Sequence, residues 1–411
     1  MPYNDKSHHI SQVIPEQDEE EVDQIQTLPQ PLLRNEGDVL SSSSPYQRIP
    51  LEIWEDIFVQ CLPDDEFVAI SAHNAPMLLA GVCHPWRSIV LITPRLWNSM
   101  CFHIHQFRES AHSHLLSTLG RSGKLPLSIK IWQESFPSYQ IERDIVISIL
   151  PFLSRMRSLK VDGLPWDHVE RLLGGQDIST LTDLEICIPD NPYCSLDHER
   201  RLNLSDSAPC LRKVTMGNFP HGSILNLLSF PLANLAEFSA HRMDFRQCFN
   251  IFRECRNLTH LSLTAISNGY DPNDRRIRPH ILLPNLVSLT LGVYQDEDLT
   301  RLWDNLTLPK LCEGIFGFPN ENWPQSPWWS MPQLFALLDR SSCSLRTLAI
   351  PDFTCDSDVI ECVQRIPTLR NIYFGPSLKG KVLPDQVFCI LDQRAASDTN
   401  SDELEPLEVF I

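Results

Sequence analysis

Glycine is scarce, at 15 residues in 411. A nucleotide cradle needs Gly-rich backbone that can approach phosphate closely, and no such loop occurs; neither does G-x-S-x-G nor H-E-x-x-H. The chain has 13 cysteines but no C-x-x-C pair. Cys248 and Cys255, like Cys355 and Cys362, are seven residues apart, which is one face of a helix. Such thiols read as small buried hydrophobes in a reducing compartment, not as a metal or disulfide framework. No apolar run approaches the roughly eighteen residues of a membrane span. The opening MPYNDKSHHISQVIPEQDEEEVDQ lacks an apolar core, so no signal peptide is expected. Without secretion the sequons at Asn203, Asn257 and Asn305 carry no weight. The best metal candidates are His103-x-His105 and His112-x-His114, since alternate strand residues share a face. They lack an acidic or thiol set nearby and read as the polar side of an amphipathic segment. No metal, no cofactor and no catalytic site is expected.

The net charge of −18 is concentrated at the ends. Residues 1–45 hold nine acids and two bases, and residues 392–411 hold six acids and one base; together they account for −12. Residues 1–44 read as a disordered acidic tail. No basic patch exists to displace counterions from phosphates, so nucleic acid is not an expected partner. Neither is a membrane.

What the chain does have begins at Ile49. Pro50 stands where a helix would start, followed by Ile53, Ile57 and Cys61 with a neighbouring row at Trp54 and Phe58. This is the spacing of a helix with an apolar face. A turn at Pro63-Asp64-Asp65 precedes a second apolar helix from Met77 to Cys83, then His84-Pro85-Trp86, and a third element ends at Pro94-Arg95-Leu96-Trp97. Some fifty residues in three short helices bury little of so much apolar surface alone. Part of it should meet a partner.

The sets Ile49-Pro50-x-Glu52-Ile53 with Ile57, Val82-Cys83-x-x-Trp86-Arg87 and Pro94-x-Leu96-Trp97 resemble, in order and spacing, the F-box. That helical module binds the Skp adaptor of cullin-based ubiquitin ligases. The long spacer carrying Ala75-Pro76 resembles the version abundant in fungi. Ile49 departs from the usual leucine, a volume-conserving change. The resemblance implies an adaptor-contact face of Pro50, Ile53 and Ile57, with Val82, Cys83, Trp86 and Trp97 completing or propping it. It implies Skp, and through it a cullin, as partners. A plain helical cap on the following repeats is the other reading.

Beyond Trp97 the pattern L-x-x-L-x-L recurs, with other apolar residues allowed, at Met156, Leu181, Leu211, Leu235, Leu258, Leu286, Leu311, Leu345 and Leu369. The intervals of 25, 30, 24, 23, 28, 25, 34 and 24 residues fit leucine-rich repeats. The last two apolar positions of each copy are two apart, hence on one face of a strand. Proline stands two residues before Leu211, Leu286, Leu311 and Leu369, where it ends a helix and favours extended chain. Helix-like stretches lie between, at Ile224–Leu228, Phe249–Phe252, Leu334–Leu338 and Asp358–Val363. Regular repeats of this kind carry asparagine at the ninth position. Here Leu164, Phe219, Met243, Ile266, Tyr294 and Phe353 stand there, so packing in place of an asparagine ladder is expected. The closing Leu404-x-x-Leu407-x-Val409-x-Ile411 looks like a tenth copy.

The expected fold is α/β: a disordered tail over 1–44, an F-box-like three-helix module over 45–104, a leucine-rich-repeat-like solenoid over 105–391, and an acidic loop with a terminal strand over 392–411. The expected role is non-catalytic, either a substrate receptor of an SCF-type ubiquitin ligase or a repeat scaffold without ligase function, in cytoplasm or nucleus. An unknown protein target would sit on the strand face of the last repeats. Tyr373 and the loop carrying Trp323, Trp328 and Trp329 would anchor it.

Overall fold

The computed structural model describes residues 49–104, 111–133, 139–188, 201–217, 227–266, 280–293, 302–317, 331–350, 356–374 and 408–410. They form a mixed α/β structure dominated by one long parallel sheet. Its strands follow chain order with no crossover among them. They are Val68–Ala69 (β1), Ser99–His103 (β2), Leu127–Trp132 (β3), Met156–Asp162 (β4) and Asp183–Cys187 (β5), then Lys213–Gly217, Glu237–His241, His260–Ile266, Ser288–Val293, Glu313–Gly317, Thr347–Ile350, Asn371–Phe374 and Glu408–Phe410. Chain-order parallel pairing is what stacked strand-and-return repeats produce.

Nine of these strands are the nine copies read from the sequence, and they pair in step. The fourth position of each copy (Leu159, Leu184, Val214, Phe238, Leu261, Leu289, Gly314, Leu348, Ile372) lies opposite the fourth position of the next. The fourth and sixth positions face inward, while the third, fifth and seventh are mostly half-buried. A one-residue slip would turn that apolar row outward, so burial fixes the register.

The same register organises the turn entering each strand. From Thr182 to Arg346 the second-position carbonyl of each copy accepts two N–H groups from the following copy, at 2.7–3.1 Å. Side chains just before the first apolar position add to this stitching. Asn234 Nδ2 donates to the Pro209 carbonyl at 3.1 Å, and Asn257 Nδ2 to that of Ala233 at 2.7 Å. At the ninth position Leu164, Met243 and Ile266 are fully buried, as apolar packing there requires; Phe219, Tyr294 and Phe353 lie outside the described residues.

Three of the helix-like stretches are helical, at Phe245–Glu254, Met331–Ser341 and Asp356–Arg365. Of the fourth, Ile224–Leu228, residues 224–226 lie outside the described residues; Leu227 is helical, and the chain passes directly into a short strand, Leu228–Ser229, parallel to Leu202–Asn203.

The sheet also extends beyond the recognised copies. At the C-terminal side Glu408–Phe410 pairs in register with Asn371–Tyr373, so the closing segment does add a strand. At the other side β1, β2 and β3 precede Met156. Met100 and Ile129 take the fourth position there. Counting back puts Trp97 at the first position of β2, while in β3 a register shift sets Leu127 opposite Met156, so its leucine stands one residue out of step and the spacing hides the pattern. β1 itself lies between two helices of the 45–104 segment.

Those helices are Leu51–Gln60 (α1), Met77–Val82 (α2) and His84–Ile92 (α3). Glu52 in the first turn of α1 suits the helix dipole, and Pro85 occupies the first turn of α3, where its missing N–H costs nothing. Arg87 Nε donates to the Ala80 carbonyl at 2.9 Å, tying α3 to α2. Trp54, Phe58 and Trp86 form an aromatic knot with centroids 5.0–5.6 Å apart. The buried core runs without a break from Phe58 to Ile372. No helix among the described residues is long and apolar enough to cross a membrane.

Candidate partner-binding surfaces

The helices α1–α3 leave large apolar side chains in solvent. Of eleven such exposed residues in the described structure, eight fall between Ile49 and Ile92. Ile53 (49% exposed) and Ile57 (41%) are one turn apart on α1, opposite the face that sends Phe58 into the core. Leu78 and Val82 (57%) repeat the arrangement on α2, and Leu91 with Ile92 (60%) end α3. Scattered exposed aliphatics are ordinary, but this density on some forty residues stands out from the rest of the described structure.

The residues implied by the F-box resemblance divide into two groups. Pro50, Ile53, Ile57, Val82 and Cys83 are exposed. Trp86 is half-buried in the aromatic knot, and Trp97 is fully buried. The Trp97 indole donates to the Val90 carbonyl at 2.8 Å, and the Arg121 guanidinium lies 4.8 Å from its ring centre. As the first position of a strand repeat, Trp97 props the module from within. Leu51, Leu78, Leu91 and Ile92 were not singled out by sequence; the Leu78–Val82 spacing was the available signal.

The second surface is the outer face of the sheet. Its N-terminal part is charged: the fifth positions bring Lys160 and Glu185 before the row turns to Thr215, Ser239, Ser262 and Thr290. The third and seventh positions and the unrecognised β3 supply Asp162, Asp183, Lys213, Glu237 and Lys130 as well. Glu66 arrives from the α1–α2 connection. Its carboxylate lies 2.7 Å from Lys160 Nζ, which is also 3.5 Å from Glu185, and Lys160 sits 4.8 Å over the Phe67 ring. Burial pulls the Lys160 ammonium down, but the hydrogen bond and charges of Glu66 and Glu185 outweigh it and hold the pKa above the ordinary value. Lys213 and Glu237 pair at 2.8 Å. Burial raises the Asp162 carboxyl, with Lys130 opposing and Glu185 reinforcing. From Ser262 onward the fifth positions are small or apolar, ending at Tyr373, which is 38% exposed.

Trp323, Trp328 and Trp329 lie outside the described residues, as does His105. His103 packs edge-on against Trp132, and His112 Nδ1 is 2.6 Å from Ser148 Oγ. Among the described residues no group of three or more His, Cys, Asp or Glu could hold a metal ion.

No family model matches this chain, and no curated protein matches it. Among solved structures, a structural-genomics target from Bacteroides fragilis is similar over 72% of each chain, at 16% identity and a TM-score of 0.24. At that score the likeness carries no argument.

Proposed function

We propose that this protein is a substrate receptor of an SCF-type ubiquitin ligase, with α1–α3 holding the Skp adaptor and the outer strand face holding the target. The observation that supports it is the concentration of exposed Ile53, Ile57, Leu78, Val82 and Ile92 on helices whose sequence resembles the F-box. Such a receptor performs no chemistry; it supplies proximity between target and a separate transferring enzyme. Burying aspartate in an apolar contact is severely unfavourable. Ile53→Asp with Ile57→Asp should therefore abolish co-precipitation of Skp, while circular dichroism and the thermal midpoint stay near those of the parent. Undiminished adaptor binding by a folded double variant would overturn this contact face, and a parent chain that fails to co-precipitate Skp would stand as a repeat scaffold without ligase function.

A further inference from the structure

We propose that Trp132 and Asp162 form an anchor for a lysine or arginine side chain of the polypeptide held on the strand face, an inference that rests on reading that face as the target-binding surface. The seventh positions of β2, β3, β4 and β5 stand in register as His103, Trp132, Asp162 and Cys187, with Gly217 beyond. Adjacent strands are about 4.8 Å apart. An indole and a carboxylate thus sit side by side, both half-buried and both on the outer face. A cation over an indole face is attracted by the ring quadrupole, and a neighbouring carboxylate adds a charge-assisted hydrogen bond.

Two neighbours shape this place. His103 meets Trp132 edge-on, with ring centres 4.6 Å apart, and fixes the orientation of the indole. On the other side a Cβ at Gly217 would meet Cys187 Sγ at 2.5 Å, so that thiol leans over Gly217.

The charge balance favours a cation over an apolar or acidic occupant. Acids outnumber bases around the row, with Glu66, Asp162 and Glu185 against Lys130 and Lys160. Lys160 is engaged by Glu66 and Glu185. Lys130 is the basic group acting on Asp162, and burial still holds that carboxyl above its ordinary pKa. A guanidinium or ammonium arriving from a partner would supply the counter-charge.

The test uses the full chain labelled with 5-fluorotryptophan, whose nine tryptophans give nine fluorine resonances, with Trp132 assigned by Trp132→Phe. The probes are the N-acetyl methylamides of arginine, lysine, leucine and glutamate. Arginine and lysine should shift the Trp132 resonance saturably, and Asp162→Asn should weaken that binding by about tenfold or more. No shift with either cationic probe overturns the proposal, as does an equal shift with leucine or a shift untouched by Asp162→Asn. If Asp162→Asn disturbs the other resonances, ionic strength replaces it: salt should weaken a cation's binding and leave an apolar contact unchanged. The titration needs neither adaptor nor target, so it can fail while the ligase reading stands, and the reverse.

Discussion

Ile53 and Trp97 are both apolar, both belong to the F-box-like pattern, and have opposite fates. Ile53 is half in solvent, whereas Trp97 fills the first position of a strand repeat and bonds the Val90 carbonyl. Trp97→Ala should cost about 3–5 kcal/mol through the lost packing and the cavity, seen as a lower urea midpoint. Ile53→Ala should change stability by less than about 0.5 kcal/mol, as for surface changes generally. On the proposed function, adaptor binding should fall in both variants for different reasons, with only Trp97→Ala losing it together with fold. The cysteines divide in the same way. Burial pushes Cys255 up to about 12 and Cys187 and Cys343 up to about 11, whereas Cys61, Cys83 and Cys210 are exposed. At pH 8 only about one Cys255 in ten thousand is thiolate, the reactive form. Brief iodoacetamide treatment followed by mass spectrometry should label the exposed three and leave Cys255 unmodified; prompt labelling of Cys255 would contradict its burial.

At the scale of elements, each strand contributes one rung to shared ladders. Leu261 and Leu289 face each other across adjacent strands and are both buried. Leu261→Ala and Leu289→Ala should each cost about 2–5 kcal/mol, whereas Ser262→Ala on the outer face should fall within about 0.5 kcal/mol of the parent. Denaturant curves separate these outcomes. Between β4 and α-helical Trp166–Leu173, Gly163 turns at φ +88, and a Cβ there would meet the Gln133 carbonyl at 2.5 Å. Gly163→Ala should destabilise by about 1–3 kcal/mol through backbone strain.

The helices α1–α3 and the sheet share one core, and β1 binds the α1–α2 connection into the sheet. A chain starting at Asn98 would lose β1, Phe58 and Trp97 and uncover Met100 and Phe102. It should be less stable and less soluble than the full chain, measured by thermal unfolding and by sedimentation of the expressed protein. The tail over 1–44, by its composition, should be trimmed by protease without loss of the remaining structure. The Lys160–Glu66 contact joins the connection to β4. Because the folded state holds the Lys160 proton more tightly than the unfolded chain, its contribution is complete below the ordinary lysine range and is lost as pH rises through the folded value. Glu66 is largely exposed, so the contribution is about 1 kcal/mol or less. Lys160→Met should remove that alkaline loss from the pH–stability profile.

Sequence alone determined the nine-copy register, since each copy's apolar positions are two apart and any slip would expose them. It also located the apolar helices between Ile49 and Ile92, because helical spacing is local. Tertiary structure decided what pairing alone reveals. Trp97 begins a strand repeat without a leucine, and a register shift sets the leucine of β3, Leu127, one residue out of step, so β2 and β3 became visible only through their partners. Beside the fifth positions Lys160 and Glu185, the outer face draws charge from third and seventh positions, from β3, and from Glu66, 94 residues before its partner Lys160. Whether an apolar residue on these helices faces solvent or core depends on which side the sheet occupies, and no local pattern contains that.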